Sequence, residues 1–199
     1  MNGVRTVRST ENKLRVLNEA MRILSEGPES ELRIADIYER TGLSSSVIYS
    51  YFRSRDGLID AAYIELFKEA SMKTSANLEV IFNGSKSTND AAELFFKLFS
   101  DSSFQREWQN NRKMRIRVAA RAVSSIQFMK KYKPVAIEQL EKQIAKLQSK
   151  NLLTKKFTSE QAAHIFEGVI MALTVKEDLR GESDYKMWFS TLSLLFENE

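Results

Sequence analysis

The chain has 199 residues, 43% hydrophobic and 28% charged, with seven glycines, two prolines and no cysteine. Those proportions describe a globular protein with mass for one good core or two small ones, and they exclude disulfides, thiolate metal sites and a cysteine nucleophile. The one histidine, His164, leaves no cluster for a metal site or a histidine relay, so no metal, no cofactor and no enzymatic activity are expected. No apolar run approaches the roughly 18 residues of a membrane span. The start, Met1 to Ser9, is polar with Arg5 and Arg8 and has no apolar stretch after it, so a cytoplasmic protein is expected.

In chain order, every segment reads as helix, and the expected class is all-α. Leu14, Leu17, Met21 and Leu24 recur at steps of three and four, one face of a helix with Thr10 as its N-cap and Gly27-Pro28 as its stop. A short helix over Ile34–Thr41 ends at Gly42, and Ser44 caps a third over Ser45–Phe52. Ser54 caps a fourth, which meets no breaker before Asn83-Gly84-Ser85-Lys86-Ser87. Helices follow over 91–99 and about 104–131, and Pro134 is placed to open another. In that helix Ile137, Leu140, Ile144 and Leu147 form a stripe, and Glu138 pairs with Lys142. After a break over 154–158, Ser159 caps a helix with Ala162, Ile165, Phe166, Val169, Ile170 and Leu173 on a broad apolar face. Tyr185, Trp188, Phe189, Leu192, Leu195 and Phe196 close the chain as a last helix.

Charge is segregated. Residues 105–156 hold fourteen basic and three acidic residues, whereas 157–199 hold three basic and eight acidic. Residues 1–15 carry Arg5, Arg8, Lys13 and Arg15 against Glu11 alone, a tail that either seeks phosphates or is simply solvated.

The most informative stretch is 34–55, IADIYERTGLSSSVIYSYFRSR. Gly42 supplies the left-handed corner that a Cβ would resist. Ile37, Leu43 and Ile48 are spaced to pack the two short helices together, and the second then offers Ser45, Ser46, Tyr49, Ser50 and Tyr51 outward. Hydroxyls and aromatic edges suit a groove lined by phosphates and bases, with Arg53 and Arg55 at its end. This is a helix-turn-helix pattern.

Here the chain resembles the TetR family of transcriptional regulators. The resemblance rests on Val16-Leu17, Ala20, Ile37, Gly42-Leu43-Ser44, Ile48-Tyr49, Tyr51-Phe52, Ser54-Arg55 and Leu58, about a quarter of the chain. It implies a DNA-binding domain over 1–56 and a helical effector-binding and dimerisation domain over 57–199. It implies that Ser45, Ser46, Tyr49 and Ser50 face the groove, that Tyr51, Arg55 and Arg33 hold phosphates, and that Ser44 caps the recognition helix. Tyr38, Ser46, Val47 and Arg55 depart from the usual Ala, Gly, Thr and Lys. Tyr38 can pack or reach the DNA backbone. Few of these side chains are the strong base readers Arg, Asn and Gln, so shape and backbone contacts are expected to dominate.

A short recognition helix needs a two-fold dimer on a palindrome. The last two helices are expected to form that interface, through Phe166, Ile170, Leu173, Trp188, Leu192 and Leu195. The resemblance also implies an effector pocket, for which Phe67, Phe99, Trp108, Met114, Met171, Arg117 and Arg121 are the candidates. The basic run 112–121 is either a solvated flank or a partner for an anionic effector. The expected activity is repression relieved by a small molecule; the alternative is a helical small-molecule or protein-binding module without DNA binding.

Overall fold

The computed structural model describes residues 2–87, 90, 93, 94, 97 and 102–168. The expected helix over 91–99, with Phe99, lies largely outside them, and the last helix, with Trp188, Leu192 and Leu195, wholly so; Ile170, Met171 and Leu173, further along the helix expected from Ser159, lie outside them too. The described elements are α1 (Asn2–Glu26), a 3-10 turn (Glu29–Glu31), α2 (Ile34–Thr41), α3 (Ser45–Phe52), α4 (Arg55–Gly84), α5 (Ser102–Ser124) and α6 (Ile126–Ser149). A further helix, α7, occupies the described residues 159–168. Among the described residues there is no strand, and no helix is long and apolar enough to cross a membrane. The all-α expectation holds.

The chain divides into two compact units, Met1–Phe67 and Lys68–Glu199. In the first, Val16, Ala20 and Leu24 of α1 are buried with Leu32, Ile37 of α2 and Ile48 and Phe52 of α3. Leu58, Ile59, Ala62, Tyr63 and Phe67 complete this apolar set from α4. The spacing i, i+4, i+8 in α1 makes one stripe, which burial against the shorter helices holds in place.

In the second unit, Val118 and Ala122 of α5 are buried, as are Phe128, Ile144 and Leu147 of α6 and Ala162 and Ala163 of α7. Lys146 pairs with Glu79, and Lys150 Nζ donates to Asn83 Oδ1 at 2.7 Å, so the end of α6 lies beside the end of α4. The Glu138–Lys142 pair forms at 3.3 Å, as its spacing predicts. Gln148 Nε2 donates to the carbonyls of Thr154 and Phe157 at 2.9 and 2.8 Å, closing the segment between α6 and α7.

Four local expectations are corrected. α1 begins at Asn2 rather than near Thr10, because nothing between Asn2 and Glu26 breaks a helix except Gly3 in its first turn. The stretch expected over 104–131 is interrupted at Ser125, whose side chain accepts from Phe128 N at 3.2 Å and starts α6. Pro134 therefore lies inside α6 instead of opening a helix. The cap of α7 is Thr158, one residue ahead of Ser159: Gln161 N donates to Thr158 Oγ1 at 3.2 Å while Thr158 N donates to Gln161 Oε1 at 3.0 Å. That reciprocal pair is a capping box.

Candidate nucleic-acid interface

The corner between α2 and α3 is built from backbone upward. Gly42 takes φ 70° and ψ 13°, and its N–H donates to Tyr38 O at 2.7 Å. Nothing stands within 4 Å of where a Gly42 Cβ would be, so the demand for glycine here is conformational, not steric. Thr41 Oγ1 donates to Ile37 O at 2.7 Å and accepts from Leu43 N at 3.3 Å. From α1, Arg15 Nη2 reaches Thr41 O at 2.8 Å, and Glu19 takes Arg40 Nε at 3.1 Å. The corner is thus tied to α1 from both sides of α2's last turn.

α3 has two contrasting faces. Ile48 and Phe52 are buried, while Ser44, Ser45, Ser46, Tyr49 and Ser50 are exposed, Tyr49 at 41%. Buried residues four apart fix the helix's rotation, and that rotation turns the hydroxyls outward. Ser44 occupies the N-cap position, but its side chain does not bond a helix N–H; its Oγ sits 2.9 Å from Ser46 Oγ. The expected side-chain cap is corrected accordingly: the first-turn N–H groups of α3 are not met by the Ser44 hydroxyl. Ser50 Oγ donates to Val47 O at 2.7 Å, which leaves its oxygen as an acceptor.

At the far end of α3, Tyr51 is half-buried, edge-on to Phe52 with centroids 6.3 Å apart. Ser9 Oγ lies 3.5 Å from the Tyr51 hydroxyl, and Lys13 Nζ stands 5.8 Å from the Phe52 ring centre. Arg53 ends α3 at φ 67° and ψ −39°, a positive-φ conformation in a residue with a Cβ. Ser54 Oγ accepts from Gly57 N at 2.9 Å, the cap expected for α4. A Cβ on Gly57 would stand 2.1 Å from Phe52 O, so glycine is required where α4 starts against the end of α3.

Arg55 and Arg33 differ. Arg55 Nε donates to Leu32 O at 2.8 Å, and its Nη2 donates to Glu29 O, so this guanidinium braces the segment ahead of α2. Arg33 is exposed at the N-cap of α2, with Asp36 at 3.8 Å. Tyr38 is 50% exposed on α2. Ser9 and Lys13, on α1, are further neighbours of α3. Their signal was the helical period of α1, continued back beyond Thr10.

The pocket candidates spread more widely. Phe67 is buried at the end of the first unit. Met114, Arg117 and Arg121 are half-buried on α5, and Trp108 falls on the same helix. Phe166, on α7, is half-buried. Among the described residues no group of three or more His, Asp or Glu could hold a metal ion.

A helix-turn-helix with an outward hydroxyl face, on an all-helical chain, defines a class that the comparisons also reach. Residues 16–62 match the family described as bacterial regulatory proteins, tetR family. A TetR-family transcriptional regulator from Rhodococcus sp. superposes with a TM-score of 0.68 at 15% identity, over 94% of this chain and 100% of that one. A TetR-family regulator from Mesorhizobium loti gives 0.64 at 14% identity, over 89% and 87%. SmeT, solved as a triclosan complex, gives 0.53 at 14% identity, over 94% and 93%. No curated protein matches the sequence. The resemblance carried by Gly42 to Leu58 is therefore present in both sequence and fold: the chain has the TetR fold, with a TetR-family helix-turn-helix at its N-terminal end.

Proposed function

We propose that the protein is a dimeric, ligand-responsive transcriptional regulator that represses from a palindromic operator and is released by a small molecule. The observation that carries it is the exposed face of α3, where Ser45, Ser46, Tyr49 and Ser50 stand outward while Ile48 and Phe52 anchor the helix. A helix so held enters a major groove about as wide as itself. Ser44, Tyr51 and Arg33 take phosphates at its rim, and Arg55, with donors already on two carbonyls, braces the unit from beneath.

Dimerisation through α7 and the chain after it puts two such helices on successive turns of the duplex. Phe166 contributes to that interface from the described residues. The effector is assigned to the helical second unit, where Met114, Arg117 and Arg121 are half-buried on α5. SmeT, a protein of this fold, was solved with triclosan, which supports a hydrophobic effector class. An effector that favours one arrangement of the subunits by 1–3 kcal/mol changes operator affinity by about 5- to 150-fold.

The test begins with selection of duplexes from a random-sequence pool by the full chain. An enriched palindrome, bound with an affinity that falls steeply with salt, is expected. Tyr49→Ala is expected to weaken that duplex more than an unselected one. A chain that enriches no sequence is instead a binding module without an operator. Light scattering checks the dimer; a monomer at micromolar concentration removes it.

A further inference from the structure

We propose that the part of α1 ahead of residue 16 is a second DNA contact, laying Arg5 and Arg8 along the phosphates that flank the site under α3. The proposal rests on the operator-binding function above and adds a surface to it. The family match spans residues 16–62, so this segment is not among the residues that carry it. Yet it is helical from Asn2 and continuous with the buried stripe that begins at Val16. Fourteen residues of helix add about 20 Å to a recognition helix only about 12 Å long.

Three features give this segment a direction and a partner. Ser9 Oγ meets the Tyr51 hydroxyl, so the segment passes the rim of α3 where Tyr51 is assigned to a phosphate. Lys13 Nζ stands near the Phe52 ring on the same side, one turn further in. Arg5 is four residues before Ser9, hence at nearly the same angle around the helix, and Arg8 is adjacent to it in sequence.

Charge selects the occupant. Residues 1–15 hold four basic residues and one acidic residue, and Arg15 is already committed to Thr41 O. Arg8, Ser9 and Lys13 are exposed. An exposed cationic helix that touches the recognition helix is complementary to duplex backbone, which carries a negative charge every 1.7 Å or so. These contacts add affinity and footprint without reading sequence.

The test compares the full chain with the double variant Arg5→Ala/Arg8→Ala on the duplex that the full chain selects. Fluorescence anisotropy is titrated against salt, with circular dichroism confirming equal helix content. The log–log salt slope is expected to shrink by about 1.8 per bound chain, 0.9 for each lost phosphate contact. Hydroxyl-radical protection is expected to contract at the edges of the footprint and persist at its centre. Arg5→Lys/Arg8→Lys is expected to restore both. An unchanged slope and footprint overturn the inference and leave operator binding intact. A full chain that selects no duplex overturns operator binding itself, and this inference with it.

Discussion

Arg53 and Arg55 stand two residues apart and do opposite things. Arg53 holds φ 67° at the end of α3, a conformation that costs a residue with a Cβ about 1 kcal/mol. Glycine is the usual occupant of such a helix terminus. Arg53→Gly is expected to raise stability by about 0.5–1 kcal/mol, read as a higher urea midpoint with unchanged slope. Arg55 spends two donors on the carbonyls of Leu32 and Glu29. Hydrogen bonds from a charged donor contribute more than neutral ones, so Arg55→Ala is expected to lose about 2 kcal/mol of stability. Because those donors face carbonyls, its salt slope on DNA is expected to match that of the parent chain. A slope reduced by about 0.9 would mark Arg55 as a phosphate ligand after all.

The elements differ in how plainly their ends are written. The bounds of α2 and α3 were legible because each is set locally: Gly42 supplies the turn, and buried residues spaced by four set the faces. The end of α4 at Asn83-Gly84 was legible for the same reason. The break at Ser125 was not, since Ser124-Ser125 contains neither Gly nor Pro and shows itself only through the bond from Phe128 N. Pro134 misled in the other direction. Proline opens helices more readily than it sits within them, but here a cap nine residues earlier had already begun α6. Its ring forfeits one helix hydrogen bond. Pro134→Ala is expected to stabilise the chain by about 1–3 kcal/mol, measured by urea unfolding, with no effect on the N-terminal unit's binding to DNA. At the candidate interface, the outward hydroxyls of α3 followed from helical spacing. The inward turn of Arg55 did not, because it depends on carbonyls more than twenty residues away in the chain.

At the scale of the whole molecule, the strongly basic 105–156 and the acidic 157–199 meet in part through Glu167 on α7. Burial pushes its carboxyl above the ordinary value of 4.5, against the pull of Arg115 and His164. Below that value the group is protonated in folded and unfolded chains alike and has no effect on stability. As pH rises through the interval above it, the unfolded chain gives up its proton first, so folding becomes less favourable until the folded group ionises too. Glu167→Gln is therefore expected to raise the melting temperature at neutral pH and to leave it unchanged in strong acid. A variant less stable than the parent at neutral pH would show that attraction to Arg115 outweighs burial.

The junction of α3 and α4 carries a last consequence. Gly57 and the carbonyl of Phe52 meet main chain to main chain, with no room for even a methyl group between them. Most helix joints have side chains as cushions, whose torsions absorb a small displacement before it spreads. Here the two backbones meet directly beside the Ser54 hydroxyl, so a shift in the opening turn of α4 passes straight to the tail of α3, as between two cogs cut without clearance.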